Sequence, residues 1–197
     1  LRASCLEVDE QHIFIGFGTY VAKFNHAGEL LQQWADLGEH TVITNLAIKE
    51  DKIYVADAGN RRIVIFNREG EQTGMFEGKS ESDARHGFIV PSANFDLAVN
   101  SFGELWVVNP GKHALENYAD DGRLRGYWEN LSFEIEGFLG CCNPARITTM
   151  ADGSFVTCEK GLVRIKIYDQ SGKLKSVVAS PEQFNGVKGT APEVCVD

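Results

Sequence analysis

Short apolar runs alternate with turn residues along most of this chain. Several turns place glycine directly after an acidic residue, as at positions 69–70, 121–122 and 152–153. Glycine adopts positive φ without steric cost, and acidic side chains favour tight turns, so these pairs indicate chain reversals. No window shows the i, i+3, i+4, i+7 apolar spacing of an amphipathic helix. The pattern therefore predicts short β-strands joined by tight turns.

The same series of four strand-like runs occurs four times. The copies begin at Leu6, Leu46, Leu97 and Ile147, so successive copies lie 40 to 51 residues apart. Each copy predicts a small four-stranded sheet with two apolar faces, and such a sheet cannot bury both faces by itself. Stacking the sheets around an axis buries them. The repeat therefore predicts an all-β chain, a β-propeller of four-stranded antiparallel blades.

The second copy resembles the NHL-repeat family. Residues 53–71, IYVADAGNRRIVIFNREGE, are similar to the NHL consensus almost residue for residue, and residues 87–99 resemble the opening of the next repeat. The third and fourth copies depart from the family at Asn109 and Cys158, which we align with its usual Asp. The first copy is more distant still, because Gly-Phe-Gly at residues 16–18 replaces the turn that follows the second strand, which is Asp-Ala-Gly-Asn in the second copy.

The blades predicted from the repeat occupy residues 3–39, 40–90, 91–142 and 143–188, and residues 189–197 begin another first strand. The resemblance implies a ring of six blades, or sometimes five. We therefore expect a single propeller domain that is a fragment of a larger, six-bladed ring. A closed ring of four blades is the alternative, although it leaves the last seven residues without a role.

The balance of charge narrows the range of partners. The net charge is −9, from 19 basic and 28 acidic residues, which disfavours nucleic acid and other anionic partners. Proteins, peptides, neutral small molecules and cations remain. No apolar run reaches about 18 residues, so no membrane span is predicted. The NHL resemblance implies a secreted or periplasmic location, which the five cysteines neither support nor exclude.

Cysteines mark the least repeat-like stretch, residues 140–145. Cys141 and Cys142 precede the first strand of the fourth blade, and Cys158 ends the second strand of the same blade. In a propeller the blade-linking loops and the loops between second and third strands emerge at one end, here called the linking rim. The three cysteines belong to this rim. A disulfide, a soft-metal site or buried free thiols all fit this arrangement.

A second candidate site is a polar cup at the mouth of the central channel. Aligning the first strands brings Asn45, Asp96, Arg146 and Glu193 to equivalent positions. Oxygen ligands of this kind suit calcium or magnesium, and gluconolactonase-like propellers bind a divalent cation with similar residues. The guanidinium of Arg146 opposes a cation there and instead predicts a pairing with Asp96 or Glu193. An ordinary polar channel lining is the alternative.

The histidines predict no catalytic centre. Some NHL-like propellers, the peptide-amidating lyases, hold zinc with three histidines near the axis. Here His113 aligns with Arg61, a position that is usually exposed, so we expect solvated loop histidines. His12 and His26 fall on the far rim, whereas His40, His86 and His113 fall on the linking rim.

Taken together, the residues favour a non-catalytic binding propeller that presents its linking rim and channel mouth to a protein, a peptide or a small ligand. One alternative is a metal-dependent enzyme of the lactonase or lyase kind, which would need a divalent metal at the channel mouth. The other is a metal or redox site centred on Cys141, Cys142 and Cys158. The fold alone does not choose among them.

Overall fold

The computed structural model describes residues 2–79, 87–184 and 191–196. It contains four antiparallel sheets, each of four strands in sequential order. This confirms the predicted fold class, an all-β chain of β-propeller blades. Two compact units divide the chain, Leu1–Phe88 and Ile89–Asp197, and each holds two of the sheets.

The first unit contains the first two sheets. The first sheet consists of β1 (Cys5–Val8), β2 (His12–Phe17), β3 (Tyr20–Asn25) and β4 (Leu30–Gln33). The second sheet consists of β5 (Ile43–Lys49), β6 (Lys52–Asp57), β7 (Arg62–Asn67) and β8 (Gln72–Phe76).

The second unit contains the third and fourth sheets. The third consists of β9 (Leu97–Val99), β10 (Leu105–Asn109), β11 (Ala114–Tyr118) and β12 (Leu124–Glu129). The fourth consists of β13 (Arg146–Thr149), β14 (Phe155–Glu159), β15 (Arg164–Tyr168) and β16 (Leu174–Ala179). Short 3-10 turns lie at Pro110–Lys112 and Pro181–Phe184.

The second strand is buried on both faces in the second, third and fourth blades. Every residue of β10 and β14 is buried, and so is every residue of β6 after Lys52. This explains why the second strands are continuous apolar runs rather than alternating ones. The fourth strands lie at the outer edge of their sheets, and β4 is exposed throughout. The apolar content of each blade is therefore concentrated in its inner strands.

Aromatic side chains fill the core between the two blades of each unit. In the first unit Trp34 packs against Phe66 and Phe14, with ring centroids 4.9 and 5.7 Å apart. In the second unit Trp106 meets Phe155 edge to face at 4.7 Å. The aromatic residues assigned to the core from the sequence are all buried: Trp34, Phe66, Trp106, Tyr118, Trp128 and Tyr168.

Two tryptophans cover glycine turns of the following blade. Gly70 and Gly172 lie between the third and fourth strands and have φ of 83°. A Cβ atom added to Gly70 would overlap the indole of Trp34, and one added to Gly172 would overlap the indole of Trp128. Gly28 occupies the same turn of the first blade with φ of 80°, but nothing lies within 4 Å of its missing Cβ.

The end of each later second strand holds the segment that links its blade to the preceding one. The carboxylate of Asp57 accepts hydrogen bonds from the Val42 amide (3.1 Å) and from Arg62 Nε (2.9 Å), and Arg62 Nη2 donates to the Leu37 carbonyl (3.2 Å). Asn109 Oδ1 accepts from the Ile89 amide at 2.9 Å. These contacts fix where each linking segment meets the following blade.

The fourth blade uses a longer carboxylate for the same purpose. Glu159 forms salt bridges with Arg164 (Nη2 to Oε2, 2.6 Å) and with Lys166 (Nζ to Oε1, 2.8 Å), and all three side chains are buried. Arg164 Nη2 also donates to the Gly137 carbonyl at 3.2 Å. Strand pairing sets Glu159 opposite Arg164, as it sets Asp57 opposite Arg62. Glu159, and not Cys158, is therefore the residue equivalent to Asp57, which corrects the sequence alignment.

The sequence predicted that residues 189–197 begin the first strand of another blade, but the described residues of this segment do not form a strand. Residues 191–196 have no regular secondary structure, and residues 189, 190 and 197 lie outside the described residues. A segment forms a β-strand only when its backbone pairs with a neighbouring strand, and residues 191–196 pair with none of the strands of the four sheets.

We expect Gly70→Ala to lower the free energy of unfolding by about 3 kcal/mol or more. The variant combines a left-handed backbone cost of about 1–2 kcal/mol with the overlap against Trp34. Gly28→Ala is the matched control, because it meets only the backbone cost. Urea denaturation of the two variants measures the difference, and equal losses would contradict the packing role of Gly70.

Replacing Asp57 by Ala should cost about 3 kcal/mol, because it leaves Arg62 without its carboxylate in a buried setting. Burial raises the pKa of Asp57, but hydrogen bonds from Asn60, Val42 and Arg62 outweigh burial and hold it below 3.8. Its contribution is therefore complete above about pH 4 and is lost as the pH falls further. The gap in stability between wild type and variant should narrow below that pH. Asp51→Ala, at an exposed turn, is the control and should change stability little.

Candidate functional site

Loops of the second unit converge on Asn143 at the linking rim. Asn143 lies in the segment between β12 and β13 and is buried. Its Nδ2 donates to the carbonyls of Leu139 (2.5 Å) and Lys160 (3.1 Å), and its Oδ1 accepts from the Lys160 amide (2.8 Å). Its own carbonyl accepts a hydrogen bond from His113 Nδ1 at 3.1 Å. Through its side chain and its own carbonyl, Asn143 thus joins the turns after β14 and β10 to the linking segment.

His113 differs from the sequence expectation. It has φ of 55°, as Arg61 does, which supports the alignment of the two positions. His113 is nevertheless buried, and the contact with a carbonyl requires its Nδ1 to carry the hydrogen. The expectation of a solvated loop histidine is therefore wrong for His113, because the linking segment covers it. His40 and His26 are exposed as expected, and His12 is partly buried.

His86 lies outside the described residues. Among the described residues, no group of three or more His, Cys, Asp or Glu side chains could hold a metal ion. In the same part of the chain, no helix is long and apolar enough to cross a membrane.

Cys141 and Cys142 directly precede Asn143 and are free thiols. Their Sγ atoms are 3.3 Å apart, and Cys141 is exposed whereas Cys142 is only 2% exposed. The Lys160 ammonium donates to the Ser92 hydroxyl at 2.9 Å, and the proximity of both groups lowers the pKa of Cys142. The pair therefore consists of an accessible sulfur and a sheltered sulfur that faces a cation.

The two thiols ionise unequally. Burial alone would raise the pKa of Cys142, but hydrogen bonds from Ser92, Cys141 and Lys160, with the charge of Lys160, bring it below 9.0. The hydrogen bond to Cys142, together with repulsion from its charge, raises the pKa of Cys141. The first proton to leave the pair is therefore that of Cys142, and the remaining S–H belongs to Cys141.

Cys158 has a different environment. It lies on β14 opposite Arg146 and is fully buried, and its Sγ is 3.7 Å from the Glu159 carbonyl. Burial, with the neighbouring charge of Glu159, raises its pKa to about 12. Such a thiol behaves as a small apolar core residue rather than a nucleophile.

Three residues of the predicted polar cup lie on or beside first strands, whereas Glu193 lies in a segment without regular secondary structure. Asn45 pairs with Ala56 on β5, Arg146 pairs with Cys158 on β13, and Asp96 directly precedes β9. Asn45 belongs to the first unit, where its Oδ1 accepts from the Leu46 amide at 2.7 Å.

In the second unit two of the cup residues pair with each other, and the third bonds to a strand amide. Arg146 Nε pairs with Glu193 Oε1 at 2.8 Å, as expected from the guanidinium charge. Asp96 is buried, and its Oδ2 accepts from the Ile147 amide at 2.6 Å, which joins the third and fourth blades. Arg146 Nη1 is buried without a hydrogen-bond partner in the described part of the chain. The metal role of these four residues stays a prediction.

The linking segment also carries an apolar loop, residues 130–138. Leu131, Phe133 and Ile135 are 70%, 88% and 42% exposed. The ends of the loop meet in a bridge between Leu131 and Phe138, and Phe138 is buried against Trp128 with ring centroids 5.8 Å apart. The loop is therefore a compact excursion whose ends are closed and whose tip is apolar.

Buried cations and hydroxyls hold the backbone of this loop. Lys166 Nζ donates to the carbonyls of Ile135 (3.1 Å) and Gly137 (2.8 Å), and Tyr168 Oη donates to that of Glu136 (2.8 Å). Burial lowers the pKa of Lys166, which the Glu159 carboxylate partly offsets. The sequence analysis missed this loop, Lys160 and Asn143. The only sequence feature that pointed to this region was the departure of residues 140–145 from the repeat pattern.

Comparisons with known proteins extend no further than the fold. No protein-family model matches the chain, and no curated protein matches it. Among solved structures, virginiamycin B lyase from Staphylococcus aureus is similar with a TM-score of 0.63 and 14% identity, over 89% of this chain and 54% of that one. Hydrazine synthase from Kuenenia stuttgartiensis gives 0.65 and 12%, over 89% and 48%.

A protein of unknown function from Bacteroides caccae is similar with a TM-score of 0.62 and 13% identity, over 87% of this chain and 59% of that one. The chain thus spans about half the length of these structures. At such identities the likeness shows a shared fold and carries no residue roles.

We expect alkylation to separate the cysteines. In native protein at pH 8, iodoacetamide should label Cys141 and Cys195 first, because both are exposed. Cys158 should react only after denaturation, since a pKa of about 12 leaves on the order of one thiolate in ten thousand. Peptide mass spectrometry reads each site, and the denatured chain is the control. Native labelling of Cys158 as fast as that of Cys195 would contradict this assignment.

Proposed function

We propose that this chain belongs to a non-catalytic binding propeller of the NHL-repeat type, which holds a protein or peptide partner at the linking rim of its second unit. One observation carries the proposal. The apolar loop exposes 88% of Phe133, while buried Lys166, Arg164 and Tyr168 fix the backbone behind it.

A fixed apolar projection favours binding for an energetic reason. Exposing Phe133 forgoes the stabilisation of about 25 cal/mol per Å² that burial would bring. A loop that is already ordered loses little conformational entropy when it docks, so more of its contact energy appears as affinity. Buried ion pairs that hold the loop by its carbonyls supply that order.

The charges of the loop specify the partner further. Glu134 and Glu136 are exposed on either side of Ile135, and the whole chain is acidic. The complementary surface is an apolar groove or apolar segment flanked by Lys or Arg. A partner protein or peptide meets this description, whereas nucleic acid does not. The NHL resemblance extends the proposal to a secreted or periplasmic location.

Catalysis has weaker support. Two structural neighbours are enzymes by name, a lyase and a synthase. The metal-dependent alternative requires a cation among the cup residues, where the guanidinium of Arg146 instead pairs with Glu193. The observations therefore favour binding over lactonase-like or lyase-like chemistry.

A random peptide display library provides the probe. We expect selected peptides to combine apolar residues with Lys or Arg, and Phe133→Ala to weaken their binding about tenfold or more, as for a central anchor residue. Fluorescence anisotropy of labelled peptides measures the affinity. Raising the salt concentration should also weaken it, because Glu134 and Glu136 are exposed.

Phe102→Ala is the matched control. Phe102 is another exposed phenylalanine of the second unit, 60% exposed, in the turn before β10. Its loss should leave the affinity unchanged. Peptides that bind Phe133→Ala as tightly as wild type, or a selection without basic apolar sequences, would refute the proposal.

A further inference from the structure

We propose that Cys141 and Cys142 form a thiol–disulfide exchange site that is oxidised by a low-molecular-weight disulfide. The inference is independent of partner binding at the apolar loop. It rests on the contact between the two sulfurs, their unequal exposure and the cation held against the sheltered one.

The sulfur geometry suits a two-step exchange. The Sγ atoms are 3.3 Å apart, so closing a bond between them requires an approach of a little over about 1 Å. Cys141 is exposed and can reach a small disulfide, whereas Cys142 is 2% exposed and cannot meet one directly. Cys141 is therefore the entering thiol and Cys142 the resolving thiol.

The surroundings of Cys142 are built rather than incidental. The Lys160 amide donates to Asn143 Oδ1 at 2.8 Å, and the Lys160 carbonyl accepts from Asn143 Nδ2 at 3.1 Å. These two hydrogen bonds fix the backbone from which the Lys160 side chain extends. Its ammonium then bonds to Ser92 at 2.9 Å, and both groups stabilise a thiolate on Cys142. A thiolate at that place accepts the proton of Cys141 and later attacks its sulfur.

The exchange balances as follows. Cys142 thiolate takes the Cys141 proton, and the Cys141 thiolate attacks RSSR, forming Cys141–S–S–R and releasing RS⁻. That RS⁻ takes the proton from Cys142, whose thiolate attacks Cys141 Sγ and displaces a second RS⁻, which is protonated by solvent. The net change is oxidation of the cysteine pair to a disulfide and reduction of RSSR to two RSH.

The remaining cysteines lack this combination. Cys158 is buried with a raised pKa. Cys195 is exposed and Cys5 is partly buried. Cys195 is therefore an internal reference, since it can form a mixed disulfide with the reagent but has no adjacent cysteine to resolve it.

The test treats the reduced, native chain with oxidised glutathione and maps its peptides by mass spectrometry. Wild type should lose two hydrogens from the peptide that contains Cys141 and Cys142, with no glutathione retained there. Cys142→Ser should instead trap glutathione on Cys141, and Cys141→Ser should abolish modification at both positions. Lys160→Gln keeps the peptide contacts to Asn143 and should slow closure of the pair about threefold or more.

Cys195→Ser is the control variant and should leave this peptide unaffected. Circular dichroism verifies that each variant is folded. Glutathione that stays on Cys141 in wild type, a bridge from Cys142 to Cys158, or two unmodified thiols would each overturn the proposal.

Discussion

The anchoring of each linking segment by the end of the following second strand is the constraint on which the rest depends. A propeller sheet buries its apolar faces only if the next sheet is held against it. Asp57 provides the anchor in the second blade, Asn109 in the third and Glu159 in the fourth. Each anchor is buried, so its polar atoms must be satisfied. Linking-segment amides donate to Asp57 and Asn109, whereas Glu159 binds Arg164 and Lys166, which donate to the linking carbonyl of Gly137.

The features of the second unit follow from how its anchors differ from Asp57. The longer side chain of Glu159 accommodates Lys166 in addition to Arg164, and this added cation holds the carbonyls of Ile135 and Gly137. A structural ion pair thus positions an exposed apolar tip. The same linking segment continues into Asn143, which orders the turn that carries Lys160.

Two sites of different chemistry therefore share one segment of chain. The apolar loop projects from the beginning of the segment, and the cysteine pair lies near its end, next to Lys160 and Ser92. Both depend on buried polar contacts for their shape. Neither is the polar cup at the first strands, where Arg146 pairs with Glu193 and Asp96 joins two strands.

The sequence by itself determined the all-β blades, because apolar periodicity and turn glycines are local properties that repeat in every copy. It also identified residues 140–145 as irregular. Only the tertiary structure decided that Glu159 rather than Cys158 continues the anchor, that His113 is buried, and that Lys160 faces Cys142. These facts depend on contacts between segments far apart in the chain, which no local pattern encodes.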